Sequence, residues 1–188
     1  MGDIIVIQFI TLDGVVSDPD GRGGTGHGGW AFKFGSGPVD GDKFRLGSRL
    51  ADGVHLYGRR TWEAFATLWP ARDGEFAGLM NAAAKRVATR TGIDAGAWPN
   101  SAAIDGDPVA WAKDERQRRD VVVIGSLSVV RALAAADLVD EYRLVTFPVV
   151  AGAGDRLFDG GGGGDFRFVT IEPGSGGVTA LTALRRER

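Results

Sequence analysis

The sequence predicts an α/β fold built on a central, mostly parallel sheet with helices on both faces. Short apolar segments of strand length alternate with longer segments whose apolar residues have helical spacing. Several of the apolar segments contain almost no polar residue, as is typical of parallel strands that are buried on both faces. The stretch "DVVVIGSLSVVRALAAADLVDEYRLVTFPVV" reads as strand, glycine turn, helix and strand. At 188 residues, we expect one domain over 1–188.

The first half of the chain begins with a mostly buried strand at residues 4–12. A long glycine-rich loop follows at 13–29, and a loop of that length inside a compact domain usually serves a site. Apolar spacing predicts a short helix at 40–51, and an apolar run predicts a strand at 54–58. The next predicted elements are helices at 60–69 and 75–83 and a strand at 85–91.

The second half contains a clear helix start and a hairpin. Asp107 is a favourable N-cap and Pro108 suits the first helical position, so a helix begins there. After the strand–helix–strand stretch, "DFRFVTIEP" and "GVTALTALRR" predict two antiparallel strands joined by a glycine turn. The glycines at 160–164 are interpreted as a connector, because the flanking segments are too short to fold alone.

Composition excludes several classes of function. The net charge of −2 and a pI near 5.7 argue against a nucleic-acid or anionic-membrane partner. The chain has no cysteine, so thiolate zinc sites, iron–sulfur clusters, cysteine nucleophiles and disulfides are excluded. With only His27 and His55, we expect no metal site. The first apolar run is short and has no basic segment before it, so we expect a cytoplasmic protein.

Polar side chains follow three of the predicted strands. The turns read "GRRT", "TRT" and "GSLS", and the first and third precede a helix. Free backbone N–H groups at a helix start favour an anion, and guanidinium groups bind phosphate in a bidentate manner. Together the three turns predict a ligand with several phosphates, such as a dinucleotide. The candidate cofactor-binding residues are Gly58, Arg59, Arg60, Thr61, Thr89, Arg90, Gly125, Ser126 and Leu127.

Five motifs in this order resemble the dihydrofolate-reductase-like family. They are "TLDGVVS", "LYGRRTWE", "RVATRT", "VIGSLSVVRAL" and "LVDEYRLVTFPVVAGAGDRLF", and they span nearly the whole chain. The branch that they resemble most is the reductase domain of riboflavin biosynthesis, the RibD C-terminal domain. The resemblance implies a three-layer fold with a sheet of about eight strands. It also implies NADPH as cofactor and hydride transfer to a pterin or a pyrimidine.

The resemblance also implies individual roles. Arg59 matches the arginine that contacts the adenosine 2′-phosphate, and Arg60 and Thr61 match positions at the pyrophosphate. Thr89 and Arg90 match a strand end beside the adenosine. The glycine turn near pyrophosphate and nicotinamide corresponds to Gly125, Ser126 and Leu127. Two arginines in one turn favour NADPH over NADH, because the 2′-phosphate adds negative charge.

Two carboxylates are candidates for the catalytic proton source, which can also be an ordered water. Asp13 resembles the aspartate of the family's "LDG" motif at the mouth of the substrate pocket. Its alternative role is that of an Asp-Gly turn residue. Asp42 precedes Gly58 by 16 residues, an interval similar to the one between the helix carboxylate and the equivalent glycine of folate reductases. Its alternative role is an exposed N-cap of the helix at 40–51. Asp13 ranks first.

The other candidates for substrate binding are an aromatic residue and the glycine-rich loop. Trp30 ends that loop and could stack on a flat heterocycle, or it could pack beneath the loop as an ordinary core residue. His27 lies among glycines, and we expect it to be mobile in the free protein. Relatives pair as dimers, and the apolar strand at 142–150 could form such a contact. Burial in the chain's own sheet explains the same residues.

Two functional hypotheses remain. The first is an NADPH-dependent reductase of a pterin or a riboflavin-pathway pyrimidine. The second is a non-catalytic NADP(H)-binding module with a sensing or assembly role. Asp13 and the long adjoining loop favour the first, because a module that only binds needs no proton donor.

Overall fold

The computed structural model describes residues 1–159 and 163–187 and contains eight strands and five α-helices within these ranges. The strands are β1 (Ile4–Thr11), β2 (Val54–Gly58), β3 (Ala84–Ala88), β4 (Ser101–Ala103), β5 (Val121–Gly125), β6 (Glu141–Phe147), β7 (Phe166–Pro173) and β8 (Ala180–Arg186). The helices are α1 (Ser48–Asp52), α2 (Arg59–Leu68), α3 (Glu75–Ala82), α4 (Pro108–Glu115) and α5 (Leu127–Ala135). The strands form one sheet in the order β4-β3-β2-β5-β1-β6-β8-β7.

The chain divides into two compact units. The first unit consists of Met1–Val6 and Leu46–Asp140, and the second consists of Ile7–Arg45 and Glu141–Arg188. β1 is shared, since it crosses the boundary between Val6 and Ile7. The prediction that 1–188 is a single domain stays a prediction.

The first unit is built on parallel strands. β5 pairs with the start of β1 and with β2, β2 pairs with β3, and β3 pairs with β4, all in parallel. Every residue of β2 is buried, and α2 and α5 both pack against this strand. Its apolar composition is therefore what burial on both faces requires.

His55 is the polar exception inside β2. Its Nε2–H donates to the Leu50 carbonyl at 2.7 Å, so Nδ1 accepts from the Tyr57 hydroxyl at 3.0 Å. Because Leu50 O can only accept, this pairing fixes the tautomer. Burial lowers the pKa of His55 to about 4, and the side chain is neutral at physiological pH.

The second unit carries the antiparallel part of the sheet. β6 and β7 flank β8 and both pair with it in antiparallel orientation, which confirms the C-terminal hairpin. The core of this unit is aromatic. Phe147 packs edge-on against both Phe9 and Trp30, with ring centroids 5.3 and 5.4 Å apart.

The predicted fold class is confirmed, two local predictions are corrected, and one short strand is added. No helix covers 40–51 as predicted; α1 begins at Ser48, because Arg45 and Gly47 both have positive φ and interrupt a helix. β3 ends at Ala88 rather than at residue 91, and the three-residue β4 was not predicted. Of the glycine connector at 160–164, residues 160–162 lie outside the described ranges. No described helix combines the length and apolarity that crossing a membrane requires.

Candidate functional site

The three polar turns predicted from the sequence follow neighbouring strands of the first unit. Gly58 at the end of β2 lies opposite Ala88 at the end of β3, and Tyr57 lies opposite Gly125 at the end of β5. Ligands of parallel sheets bind at the carboxyl ends of the strands. All nine candidate cofactor-binding residues therefore lie at or directly after three adjoining strand ends.

The β2 and β5 turns pack tightly on each other through their glycines. A Cβ atom on Gly58 would lie 2.8 Å from Ser126 Cβ and still closer to Ser126 Oγ. A Cβ atom on Gly125, which has φ +131°, would lie 3.1 Å from Thr61 Oγ1. The peptide bond between Gly125 and Ser126 is cis. Larger residues at the two glycine positions would separate the turns.

Both helices that begin at these turns lack a side-chain cap. The N-cap of α2 is Gly58, which has no side chain, and within the described part of the chain the side chain of Ser126, the N-cap of α5, accepts no capping hydrogen bond. Ser126 Oγ instead pairs with Ser128 Oγ at 2.8 Å. By contrast, the Asp107 carboxylate caps α4 by accepting from Ala110 N, as predicted. α2 and α5 therefore begin without an N-cap side chain, and the positive end of each helix suits an anion.

The arginines of the first turn are exposed to solvent. The Arg59 guanidinium donates to Thr91 Oγ1 at 3.1 Å and lies 3.7 Å from the Glu63 carboxylate one helical turn later. Its side chain keeps 45% of its surface exposed, and Arg60 and Arg90 are exposed as well. Arg59 is thus held over the turn after β3 while its guanidinium stays accessible. The edge is cationic and hydroxyl-rich, which suits phosphate groups.

The Thr89 side chain forms hydrogen bonds within the turn that follows β3. Its hydroxyl donates to the Gly92 carbonyl at 3.2 Å and accepts from Thr91 N at 3.2 Å. It orders the segment that carries Thr91, the partner of Arg59. Leu127, the first residue of α5, is half-buried.

In the second unit, Asp13 binds the backbone of a distant loop. Its carboxylate accepts from Thr11 Oγ1 at 2.7 Å, Ala151 N at 3.0 Å and Gly152 N at 2.9 Å. The Thr11 hydroxyl, followed by the Ala151 amide, lowers the pKa of Asp13 to about 2. The side chain is therefore ionised at neutral pH, where it accepts hydrogen bonds. It is also a turn residue, because Gly14 follows it with φ +82°.

The structure places the other two substrate-side candidates away from their predicted settings. Asp42 is half-buried in a turn whose carbonyl accepts from Arg45 N, so its alternative role as the N-cap of a helix at 40–51 is wrong, and its role as a catalytic carboxylate stays a prediction. Trp30 is fully buried, and its Nε1–H donates to the Ser17 carbonyl at 3.2 Å. Trp30 therefore packs beneath the loop as a core residue, which is the alternative considered for it.

Sequence reasoning missed Asp18, which organises the glycine-rich loop. Its carboxylate accepts hydrogen bonds from Gly23 N at 2.7 Å and from both the amide and the hydroxyl of Thr25. A signal was available, since aspartate followed by proline and several glycines is typical of a turn organised by a side chain. Among the described residues, no group of three or more histidine, aspartate or glutamate side chains could hold a metal ion.

The comparison with protein families matches residues 109–180 to the RibD C-terminal domain. This segment includes the Gly125 turn and the loop bound by Asp13. A search of curated protein sequences finds no significant match.

Solved structures share the fold over the whole chain. A candidate riboflavin biosynthesis protein from Shewanella sp. PV-4 is 19% identical, with a TM-score of 0.75 and 100% coverage of both chains. A pyrimidine reductase-like protein from Corynebacterium diphtheriae is 13% identical, with a TM-score of 0.59 and coverage of 100% of this chain and 92% of that chain. Dihydrofolate reductase from Enterococcus faecalis, complexed with NADP(H) and RAB-propyl, is 14% identical, with a TM-score of 0.62 and coverage of 100% and 98%.

The predicted resemblance is confirmed. The chain has the dihydrofolate-reductase-like fold, and its C-terminal segment matches the RibD C-terminal branch.

Proposed function

We propose that this chain is an NADPH-dependent reductase that transfers a hydride to a pterin or to a pyrimidine of the riboflavin-pathway type. The observation that carries the proposal is the cationic edge of the first unit. There two glycine turns pack on each other, two helices begin without side-chain caps, and Arg59 is held in place beside them. This set of groups suits a ligand with several phosphates.

The residues present fit NADPH. Gly58 and Gly125 let the β2 and β5 turns pack directly on each other, and the starts of α2 and α5, which have no side-chain cap, suit a pyrophosphate. Arg59 would bind the 2′-phosphate, and Thr91 holds its guanidinium ready for that contact. Arg60, Thr61, Ser126 and Leu127 would line the pyrophosphate and nicotinamide portions, with Thr89 and Arg90 beside the adenosine. Bound NADPH supplies the hydride.

The proton that accompanies hydride transfer comes from water in this proposal. Asp13 is ionised at neutral pH because Thr11, Ala151 and Gly152 all donate to its carboxylate. A carboxylate in that state holds the loop at 151–152 and can accept a hydrogen bond from an N–H group of a heterocycle. Asp13 is thus proposed to orient substrate, and Asp42 and Trp30 are not assigned roles.

The relatives support this proposal at the level of chemistry. The Corynebacterium protein is pyrimidine reductase-like, the Shewanella protein is a candidate for riboflavin biosynthesis, and the Enterococcus enzyme binds NADP(H). These names span the two substrate classes proposed here, and the last matches the proposed cofactor.

A non-catalytic NADP(H)-binding module is the second candidate function. The observation in its favour is that Asp13 is ionised. Asp13 is the first-ranked candidate for the proton donor, but an ionised carboxylate can only accept hydrogen bonds. Such a module would bind NADPH at the first unit and oxidise none of it.

Turnover distinguishes the two candidates. The purified chain would be incubated with NADPH and either dihydrofolate or 5-amino-6-(5-phosphoribosylamino)uracil, and absorbance would be followed at 340 nm. The reductase proposal predicts oxidation of NADPH that depends on the heterocycle and is slower in Gly58→Ala when NADPH is kept below the raised Kd of that variant. NADPH binding without oxidation by either compound would favour the binding module.

We also propose that the chain forms a homodimer. The predicted strand at 142–150 supplies little exposed apolar surface beyond Val150, which is 69% exposed, because Tyr142, Leu144, Val145 and Phe147 are all buried. β7 offers more, since Phe168 and Ile171 are 60% and 68% exposed on this edge strand. Sedimentation equilibrium should give a species near 40 kDa, twice the chain mass of 19.8 kDa. A single species near 20 kDa would contradict the proposal.

A further inference from the structure

The glycine-rich loop of the second unit is folded around the carboxylate of one half-buried residue, Asp18. Asp18 Oδ1 accepts from Gly23 N at 2.7 Å, and Oδ2 accepts from Thr25 N at 3.0 Å and Thr25 Oγ1 at 2.6 Å. The Asp18 carbonyl also accepts from Gly21 N at 3.2 Å and from Gly29 N at 2.9 Å. Five hydrogen bonds thus converge on one residue, and they close the segment at 18–29 on itself.

The glycines of this loop are required by packing. A Cβ atom on Gly23 would lie 2.9 Å from Asp18 Cγ, and one on Gly28 would lie 2.5 Å from the same atom. Gly21 and Gly29 both have positive φ, near +77° and +75°, which side chains disfavour. The glycine content therefore allows the backbone to wrap the Asp18 carboxylate closely. It does not indicate a loop without structure.

The folded loop fixes the place of His27. His27 Nε2 lies 3.4 Å from Ser17 Oγ, and a Cβ atom on Gly154 would lie 2.7 Å from each of these two atoms. Ser17 Oγ also accepts from Asp155 N at 3.0 Å. His27 is half-buried against the turn at 152–155, and the expectation that it is mobile stays a prediction.

The same turn is held from its other end by Asp13, which binds the amides of Ala151 and Gly152. Two carboxylates that are distant from this turn in sequence thus order it: Asp13 directly, and Asp18 through the loop that carries His27. Hydrogen bonds from Thr25, above all that of its hydroxyl, lower the pKa of Asp18, so its carboxylate is ionised at neutral pH.

We propose that Asp18 is a positioning residue that folds the glycine-rich loop before any ligand binds and holds His27 against Gly154, where the imidazole can hydrogen-bond a heterocyclic substrate. The role of His27 rests on the proposed reductase function. If the loop is already ordered, binding of the substrate does not have to order it. The conformational entropy cost of binding is then smaller. Loss of the Asp18 contacts should therefore weaken substrate binding, while cofactor binding in the first unit is unaffected.

The first test measures loop order without any ligand. Thr25→Val removes the hydroxyl that donates to Asp18 and keeps the side-chain shape, while Thr25→Ser keeps the hydroxyl. Arg22 is exposed within the loop and gives trypsin a site there. We expect trypsin to cleave after Arg22 at least about fivefold faster in Thr25→Val and in Asp18→Ala than in the wild type. Thr25→Ser should behave as the wild type.

Asp20→Ala is the matched control. Asp20 is an aspartate of the same loop, but it is exposed and pairs with Arg22, two residues later. Hydrogen exchange at 23–29 should accelerate in Asp18→Ala and Thr25→Val and stay unchanged in Asp20→Ala. Equal cleavage and exchange in all four variants and the wild type would overturn the proposed role of Asp18.

The second test measures the functional consequence with dihydrofolate and NADPH. We expect Thr25→Val to raise KM for dihydrofolate several-fold, with kcat within about twofold and an unchanged Kd for NADPH. Thr25→Ser should restore the wild-type KM. A faster-cleaved loop with an unchanged KM would overturn the positioning role. Absence of dihydrofolate turnover in the wild type would count against the reductase function, and the cleavage and exchange results would still decide whether Asp18 folds the loop.

Discussion

Ser126 fills the space that a side chain on Gly58 would need. A Cβ atom at Gly58 would lie 2.8 Å from Ser126 Cβ, although 68 residues separate the two positions in the chain. The β2 and β5 turns are in contact because the first of them has no side chain at this point. The proposed cofactor site depends on that contact, since it sets the spacing of the two uncapped helix starts.

Gly58→Ala should therefore weaken NADPH binding. The added methyl group must displace Ser126 and separate the turns, and we expect Kd for NADPH to rise about tenfold or more, as measured by tryptophan fluorescence. Gly78→Ala is the matched control, because Gly78 lies inside α3 with open space around the site of a Cβ atom. It should leave Kd unchanged and stabilise the protein by about 0.5–1 kcal/mol in urea unfolding.

Glu63 should reduce the affinity of Arg59 for phosphate. Its carboxylate lies 3.7 Å from the guanidinium, and both side chains are about half exposed. Glu63→Gln should therefore lower Kd for NADPH about two- to fivefold, the size expected for an exposed ion pair, and change Kd for NADH little. The comparison of the two cofactors is the control, and an equal gain for both would show that Glu63 does not act through a 2′-phosphate contact.

Asp13→Asn should destabilise the protein in a pH-dependent way. An amide group cannot accept from Thr11, Ala151 and Gly152 as the carboxylate does, so the melting temperature should fall at pH 7. The pKa of Asp13 is lowered to about 2 in the folded chain, so its stabilising effect is complete above about pH 4 and is lost as the pH falls through 2. The difference in melting temperature between the two proteins should shrink over that range, and a constant difference would contradict the assignment.

The lowered pKa of Asp13 also predicts how kcat/KM depends on pH. If Asp13 remains ionised throughout the working range, the wild-type kcat/KM should show no inflection from this group between pH 4 and 7. An inflection in that range that disappears in Asp13→Asn would restore Asp13 as the proton donor.

His55 should make the fold less stable in mild acid. Its folded pKa of about 4 lies below the ordinary value of 6.5, so its contribution is complete above 6.5 and is lost as the pH falls towards 4. The loss amounts to about 3 kcal/mol of the free energy of unfolding over that range. Urea unfolding at several pH values should show the dependence in the wild type and in His27→Gln, and less of it in His55→Gln. An equally steep dependence in all three would contradict the buried neutral His55.

Much of the fold and of the cofactor edge could be predicted from local patterns. The strands with continuous apolar runs, the Asp107 cap and the two glycine turns were predicted because each depends on a few adjacent residues. The helix predicted at 40–51 failed because apolar spacing there coincides with positive φ at Arg45 and Gly47. β4 is only three residues long, too short for its pattern to be recognised.

The substrate side could not be predicted in the same way. Asp13 binds amides 138 and 139 residues away, and no local pattern shows which backbone will meet a carboxylate. Trp30 was ambiguous for a different reason. An aromatic residue after a loop has the same sequence pattern whether its side chain faces a ligand or the core. The Asp18 loop has the composition of a flexible segment, although hydrogen bonds to Asp18 and within its own backbone hold it together.

The most direct test of the account is a titration of the purified chain with NADPH and with NADH, followed by quenching of the fluorescence of its five tryptophans. We expect saturable binding of NADPH with a lower Kd than that of NADH. We also expect that Arg59→Ala weakens NADPH binding by about 1.5–3 kcal/mol, the range for charge-assisted hydrogen bonds, and leaves NADH binding nearly unchanged. Binding of neither cofactor, or equal losses for both in Arg59→Ala, would contradict the proposal that the edge of the first unit is an NADPH site.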